Sequence, residues 1–200
     1  MATLKLRGEP LGAPMRPPGT RFEGIGLDGR LPGVRGIDSP NRDARPGDEG
    51  PSLIVVHAIS LPPECFGGPG VEQLFTNCLN PDEHPYYAQI HQLRVSAHFL
   101  VRRVDSVEQY VATTARAWHA GVSSWGGRER CNDFSVGIEL EGSDTQPFEA
   151  AQYPALAELI LRVAQRHPIT DIVGHSDIAP GRKTDPGPFF DWPLLASLLR

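Results

Sequence analysis

Apolar residues fall into short runs separated by breaker-rich stretches, and the spacing inside each run differs from one to the next. Leu53-Ile54-Val55-Val56-His57 is apolar on both faces, which predicts a strand inside a sheet, ending at His57. Ser96-Ala97-His98-Phe99-Leu100-Val101 predicts a second strand, with His98 on the face opposite Phe99. Val107-Glu108-Gln109-Tyr110-Val111 predicts a third, after the charged turn Arg102-Arg103-Val104-Asp105. Phe134 to Glu141 alternates: Phe134, Val136, Ile138 and Leu140 share one face, and Ser135, Gly137, Glu139 and Glu141 the other. Val71 to Leu79 has apolar residues at helical spacing, as does Tyr153 to Gln165, which stops before His167-Pro168 as the residue before a proline requires. Ile169 to Val173 predicts a further strand, and Trp192 to Leu199 an amphipathic closing helix on Leu194, Leu195, Leu198 and Leu199. Strands interleaved with helices give an α/β fold, a central mixed β-sheet flanked by helices.

Composition narrows the picture. Two hundred residues, 40% of them hydrophobic, suit one domain. Residues 1–51 hold eight Pro and ten Gly with few apolar residues, too many breakers for regular structure, and the expected division is a Pro/Gly-rich arm, 1–30, and a folded domain, 31–200, that carries the candidate chemistry below. A net charge of -5 with mixed signs supplies no basic stripe, and nucleic acid is not expected as a partner. The start of the chain has no signal-peptide core, and no apolar run approaches the ~18 residues of a membrane span. The expectation is a cytoplasmic protein without a membrane partner, working as a monomer. Cys65, Cys78 and Cys131 are odd in number and widely spaced, which suggests neither a disulfide framework nor a thiolate zinc site. They are expected to be small, buried and reduced.

The chemistry concentrates after Ile172-Val173, in the loop from Gly174 to Pro188. Pro180, Gly181, Pro186, Gly187 and Pro188 work against a helix between His175 and Asp185, so the loop must fold back and can bring an imidazole and a carboxylate to one point. His57, at the end of the first strand, is the candidate third group. Two nitrogens and one oxygen suit Zn²⁺ and leave one tetrahedral position for water, the arrangement of a hydrolase. Glu139, at a strand end, is the best-placed carboxylate for a general base, although a solvent-facing strand explains Glu139 and Glu141 equally well. Lys183, two residues before Asp185, is the candidate for stabilising charge on a carbonyl oxygen, or else one more loop cation. Trp118 and His119 open a loop and read either as packing or as a binding wall with a polar tip. His84 and His91, in a polar and aromatic stretch, are expected to be solvated.

The strings Val55-Val56-His57, Arg94 through His98, Arg116-Ala117-Trp118-His119-Ala120-Gly121, Gly127 through Asp133, Gly137 through Gly142, and Gly174-His175 through Pro188 carry a resemblance. Over roughly residues 30 to 195 the chain resembles the zinc-dependent N-acetylmuramoyl-L-alanine amidases related to peptidoglycan recognition proteins, most of all the cytosolic branch that acts on 1,6-anhydro-muramyl peptides in cell-wall recycling. The resemblance implies His57, His175 and Asp185 as zinc ligands, Glu139 as the base that later protonates the leaving amine, and Lys183 as the oxyanion partner. It implies a small muropeptide substrate cut between the lactyl group of anhydro-muramic acid and L-alanine, with Arg94 and Arg130 at family positions that grip substrate carboxylates.

Two features depart from that family. Ala58 stands where an asparagine commonly follows the first zinc histidine, and the arm before residue 30 is longer than the family implies. Neither touches the metal triad. A non-catalytic muropeptide-binding module is the first alternative, but such modules usually lack a ligand and here all three are present. A serine or cysteine hydrolase is the second; there is no Gly-x-Ser-x-Gly elbow, and Cys131 has no adjacent histidine.

Overall fold

The computed structural model describes residues 4–5 and 21–200. In chain order these form β1 (Leu4–Lys5), β2 (Arg35–Gly36), β3 (Arg42–Ala44), β4 (Leu53–Ile59), α1 (Gly70–Phe75), α2 (Pro85–Ile90), β5 (Phe99–Val101), β6 (Val107–Gln109) and β7 (Ala115–Ala117). There follow β8 (Ser124–Trp125), β9 (Arg128–Glu129), a 3-10 turn (Cys131–Phe134), β10 (Ser135–Glu141), α3 (Gln152–Arg166), β11 (Asp171–Gly174), α4 (His175–Ile178) and α5 (Trp192–Leu198). Seven strands make one mixed sheet in the order β1-β11-β4-β10-β5-β6-β2, the α/β arrangement predicted above. β3 with β7, and β8 with β9, form two small antiparallel ribbons.

The centre of the sheet is parallel: β4 lies between β11 and β10, and β10 carries β5 on its other side. Such strands are buried on both faces, which is why Leu53 to Val56 need no polar alternation. One face presents Ile54, Val56, Val136, Ile138 and Leu140 to α3. There Leu156, Leu159, Ile160 and Val163 are fully buried, each side chain contributing about 1.5–3 kcal/mol. The opposite face presents Leu53 and Val55 to Ala120, Cys131 and Phe134. On this second face the register sets Glu139 directly beside His57.

Several expectations need adjustment. The strand carrying Glu139 and Glu141 is central and buried along its whole length, so the solvent-facing alternative is ruled out. Phe134 belongs to the 3-10 turn and packs on the second face, not with Val136, Ile138 and Leu140. The first predicted helix stops at Phe75, because the chain turns at Asn77 with φ +62°, although Leu79 still reaches the core. The strands predicted at 96–101 and 107–111 are regular only over β5 and β6, although Tyr110 N still donates to His98 O at 2.9 Å. The fold-back loop contains one helical turn, α4, before it reverses; the reversal is held by Ser176 N–H donating to Asp185 O at 2.9 Å. Cys65 and Cys78 are exposed, and only Cys131 is buried. His84 and His91 are partly buried rather than solvated: His84 Nδ1 accepts from Tyr86 N at 3.0 Å and caps α2, and His91 follows its last turn.

Residues 21–30 of the arm lie against the α3 side of the core, where Phe22 and Ile25 are buried and Phe22 N donates to Glu158 Oε1 at 2.8 Å. The rest of the arm, 1–3 and 6–20, lies outside the described residues. Among the described residues, no helix is long and apolar enough to cross a membrane.

Candidate metal centre and active site

His57 occupies the fifth position of β4, His175 the first of α4, and Asp185 the far limb of the loop that α4 begins. The fold brings the three to one point. His57 Nδ1 lies 3.0 Å from His175 Nδ1, and each lies 3.1 Å from Asp185 Oδ2. Among the described residues this is the group of His, Cys, Asp and Glu side chains able to hold a metal ion.

Which of these atoms carry hydrogens follows from their neighbours. His175 Nε2 is 3.1 Å from Ala120 O, and a carbonyl only accepts, so Nε2 holds a proton and, in the neutral ring, Nδ1 is the lone pair. His57 Nε2 is 2.9 Å from His119 Nδ1 and its ring is buried; burial pushes its pKa down to about 4 against the opposing pull of the Asp185 carboxylate. A neutral His57 with Nε2 protonated also turns a lone pair inward. Three acceptors then face one another with no hydrogen to share. Such a cluster repels itself unless a cation sits among its atoms, and two imidazole nitrogens with one carboxylate oxygen are a donor set that Zn²⁺ accepts.

Beside this cluster stands Glu139, the cross-strand neighbour of His57. Its side chain is buried, and Oε2 has no hydrogen-bond partner among the described residues. Burial, reinforced by the Asp185 carboxylate and partly offset by the Lys183 ammonium, holds its carboxyl well above the usual range. Glu139, the triad and Lys183 all line one cleft of about 410 Å³. Leu74, Phe75, Ile90 and Val95 supply its apolar wall, and Asp144, Thr184 and Arg182 its polar rim. Lys183 is exposed at that rim. A larger cavity, about 710 Å³, lies between residues 42–51 and His167 and contains none of the triad.

The remaining predicted residues are placed less centrally. His119 lines the cleft, but Nδ1 is taken by His57 and Nε2 lies 3.1 Å from Ser135 Oγ, so its ring has no polar atom to spare for a ligand. Trp118 is partly buried beside it and does not line the cleft; its backbone N–H donates to Ser96 Oγ at 3.1 Å. Arg94 is exposed between the lining residues Leu93 and Val95, with Nη1 donating to His91 O at 3.3 Å. Arg130 is exposed, 3.3 Å from Asp133, and lines a neighbouring cavity that shares Arg182 with the cleft. Ala58 continues β4 past His57; it borders the cleft, and its side chain packs against the cluster on the α3 side of the sheet.

Sequence reasoning passed over three residues that hold this geometry. Asn132 Oδ1 accepts from His119 N at 3.1 Å and Ala120 N at 2.8 Å. Arg182 Nη2 donates to Ala120 O at 2.7 Å and Val122 O at 2.6 Å. Ser135, on the same strand face as Glu139, donates to Cys131 O at 2.6 Å. A polar residue on the inward face of an alternating strand was the available signal for Ser135; nothing local distinguished Arg182.

The family profile described as N-acetylmuramoyl-L-alanine amidase matches residues 47–188. The 1,6-anhydro-N-acetylmuramyl-L-alanine amidase AmpD of Salmonella typhimurium strain SL1344 is 56% identical over 173 residues, 86% of this chain and 92% of that protein. Among solved structures, a crystal structure of a selenomethionine derivative of AmpD superposes with a TM-score of 0.85 at 55% identity, covering 86% of this chain and 98% of that one. AmiD of Escherichia coli, solved in complex with the substrate anhydro-N-acetylmuramic acid-L-Ala-D-gamma-Glu-L-Lys, superposes with a TM-score of 0.56 at 32% identity over 76% of this chain and 58% of that one. A profile match over most of the chain, near-complete alignment to curated amidases, and a cleft that gathers two histidines and an aspartate beside a buried glutamate lead to one conclusion: the chain belongs to the N-acetylmuramoyl-L-alanine amidase family and is an enzyme of that class.

Proposed function

We propose that this protein is a zinc-dependent amidase that hydrolyses the amide between the lactyl group of (1,6-anhydro)-N-acetylmuramic acid and the L-alanine of the stem peptide, in cytoplasmic peptidoglycan recycling. The observation that carries the reading is the meeting of two imidazole nitrogens and a carboxylate oxygen, each within 3.1 Å of the others, with an unpartnered buried carboxylate in one cleft. The substrate is taken from what the AmpD and AmiD relatives are named and solved with. The cytoplasmic setting rests on the resemblance of the motifs alone. One chain supplies every group of the site, which is why we read the working unit as a monomer.

His57 Nδ1, His175 Nδ1 and Asp185 Oδ2 would hold the ion. When bound, Zn²⁺ supplies Lewis acidity for the scissile carbonyl and for a water molecule. Glu139 is placed to take the proton of that water as its oxygen bonds to the carbonyl carbon, and to give the proton to the nitrogen as the amide C–N bond breaks. The products are the lactyl carboxylic acid and the amine of the peptide, which together become carboxylate and ammonium once the acid's proton passes to the amine. A carboxyl raised by burial is a stronger base for the first transfer than an exposed glutamate, and once protonated it is the acid for the second. Lys183, at the rim of the same cleft, brings positive charge to the side where the carbonyl oxygen gains negative charge. Arg94, exposed between two cleft-lining residues, and Arg130, exposed in the adjoining cavity, would turn their remaining guanidinium N–H groups to peptide carboxylates.

The test is a digest of purified anhydro-muropeptide with and without a zinc chelator, read by mass spectrometry. Release of the L-alanine-bearing peptide, lost on chelation and restored by Zn²⁺, is expected. Zinc-loaded protein that binds the muropeptide without cutting it would replace this reading with that of a binding module. Cleavage untouched by chelation but blocked by serine or thiol reagents would reject the metal.

A further inference from the structure

His119 and Ser135 have no task in the reaction above, yet they form a chain of contacts that ends on a metal-facing histidine. Ser135 Oγ has one hydrogen and lies 2.6 Å from Cys131 O, which can only accept. That hydrogen is therefore used, and toward His119 Nε2, 3.1 Å away, the hydroxyl can only accept. His119 is then protonated on Nε2 and bare on Nδ1. Bare Nδ1 faces His57 Nε2 at 2.9 Å, so His57 must donate there, and its own Nδ1 is left without a hydrogen beside His175 and Asp185. Each link in the relay fixes the next.

The surroundings are built for this ring. A Cβ at Gly137 would stand 2.5 Å from His119 Cγ, so only glycine on β10 lets the imidazole lie against the strand between His57 and Ser135. The backbone at 119–120 is in turn pinned by the two hydrogen bonds to Asn132 Oδ1. The next residue, Ala120, offers the carbonyl that fixes the proton of His175. One dipeptide thus sets the hydrogen positions of both metal-facing histidines, one through a side chain and one through a carbonyl.

We propose that His119, oriented by Ser135, is a positioning residue of the metal centre: it holds His57 as the Nε2–H tautomer, so that the Nδ1 lone pair is presented to the ion before the ion arrives. The inference rests on the metal reading under Proposed function, and it gives His119 a role other than substrate contact. Outer-shell partners of this sort affect metal affinity by about 10–100-fold, because the ligand otherwise spends its time in the wrong tautomer or rotated away.

The test begins with the metal-free wild-type protein, whose long-range ¹H–¹⁵N spectrum should show His57 protonated on Nε2; protonation on Nδ1 would overturn the proposal. Zinc affinity is then measured by competition with a chromophoric chelator. His119→Phe keeps a ring over Gly137 but has no acceptor, and should bind zinc about 10–100-fold more weakly than wild type. His119→Asn, whose Oδ1 can stand near the position of Nδ1, should recover most of that loss. Ser135→Ala, one link further out, should weaken zinc by a smaller factor than His119→Phe. Wild-type affinity in His119→Phe would reduce His119 to packing and end the proposal. A wild-type protein that bound no zinc would reject the metal assignment itself, while the spectrum of the metal-free protein would still decide the relay.

Discussion

Glu139 and Glu141 stand two residues apart on the same face of the same strand, both almost fully buried, and their chemistry is opposite. Glu141 accepts from Gly67 N at 2.7 Å, Arg102 Nη1 at 3.0 Å and Arg103 N at 3.2 Å, so its charge is matched on all sides. Arg102 in turn reaches Glu108 at 3.0 Å, and this corner ties the loop after β4 to the end of the sheet. Glu139 has the Lys183 charge only at the rim and an oxygen with no partner. One carboxylate is spent on holding a loop, and the other is the one to which the proposed reaction gives the proton transfers. Burial alone does not make an acid reactive; burial without partners, at the wall of an open cleft, does.

The most forceful way to break this comparison is Glu139→Gln, for which we expect a fall in kcat of about 10²–10⁴-fold with zinc retained and thermal stability undiminished. If the variant turned over at the wild-type rate, the assignment of the base would be wrong. His167 is a second buried group held from its ordinary ionisation, pushed down to about 4 by burial with Arg166 and Arg45 nearby, but it faces Thr113 Oγ1 at 2.8 Å and not the cleft. Its folded pKa is lower than its unfolded one, so the neutral form stabilises the fold above about pH 6.5, and that contribution is lost as pH falls toward about 4. The share of the loss due to His167 should reach at most about 3 kcal/mol in denaturant titrations across that window, and His167→Gln should remove that share, leaving the part due to His57, with turnover at neutral pH intact.

Lys183→Ala should lower kcat by about 10²-fold, near the lower end for loss of a charge-stabilising donor because the ammonium is exposed, while KM changes less. An effect confined to KM would make Lys183 a substrate anchor. Glu141→Ala should act in the opposite sense to Glu139→Gln, costing about 1–3 kcal/mol of unfolding free energy by leaving Arg102 and two backbone N–H groups short of an acceptor. Equal stability losses in the two variants would erase the distinction drawn between the two carboxylates. The smallest effect is expected for Arg130→Ala, whose guanidinium is exposed: KM for a peptide-bearing substrate should rise about 10-fold or less with kcat unchanged.

Much of the scaffold was legible in the chain because its signals are local. Two-sided apolar runs mark the buried parallel strands, and the spacing of Leu156, Leu159, Ile160 and Val163 marks the helix that covers them. The boundaries of α1, β5 and β6 were less legible, because a left-handed turn at Asn77 and the few residues that pair are not written in hydrophobic period.

Of the site, the sequence by itself determined the inventory: imidazoles at a strand end and a loop start, an aspartate behind prolines, a glutamate on an alternating strand. These follow from residue type and from what proline and glycine forbid. Only the tertiary structure decided that His57 and Glu139 are neighbours, since that depends on the register of two strands separated by some eighty residues. It alone decided which carboxylate is matched and which is bare, because the partners Arg102 and Gly67 come from other parts of the chain. It also decided where the protons of the histidines sit. A tautomer depends on what lies within 3 Å of a ring nitrogen, and for His57 that atom belongs to a residue sixty-two positions away.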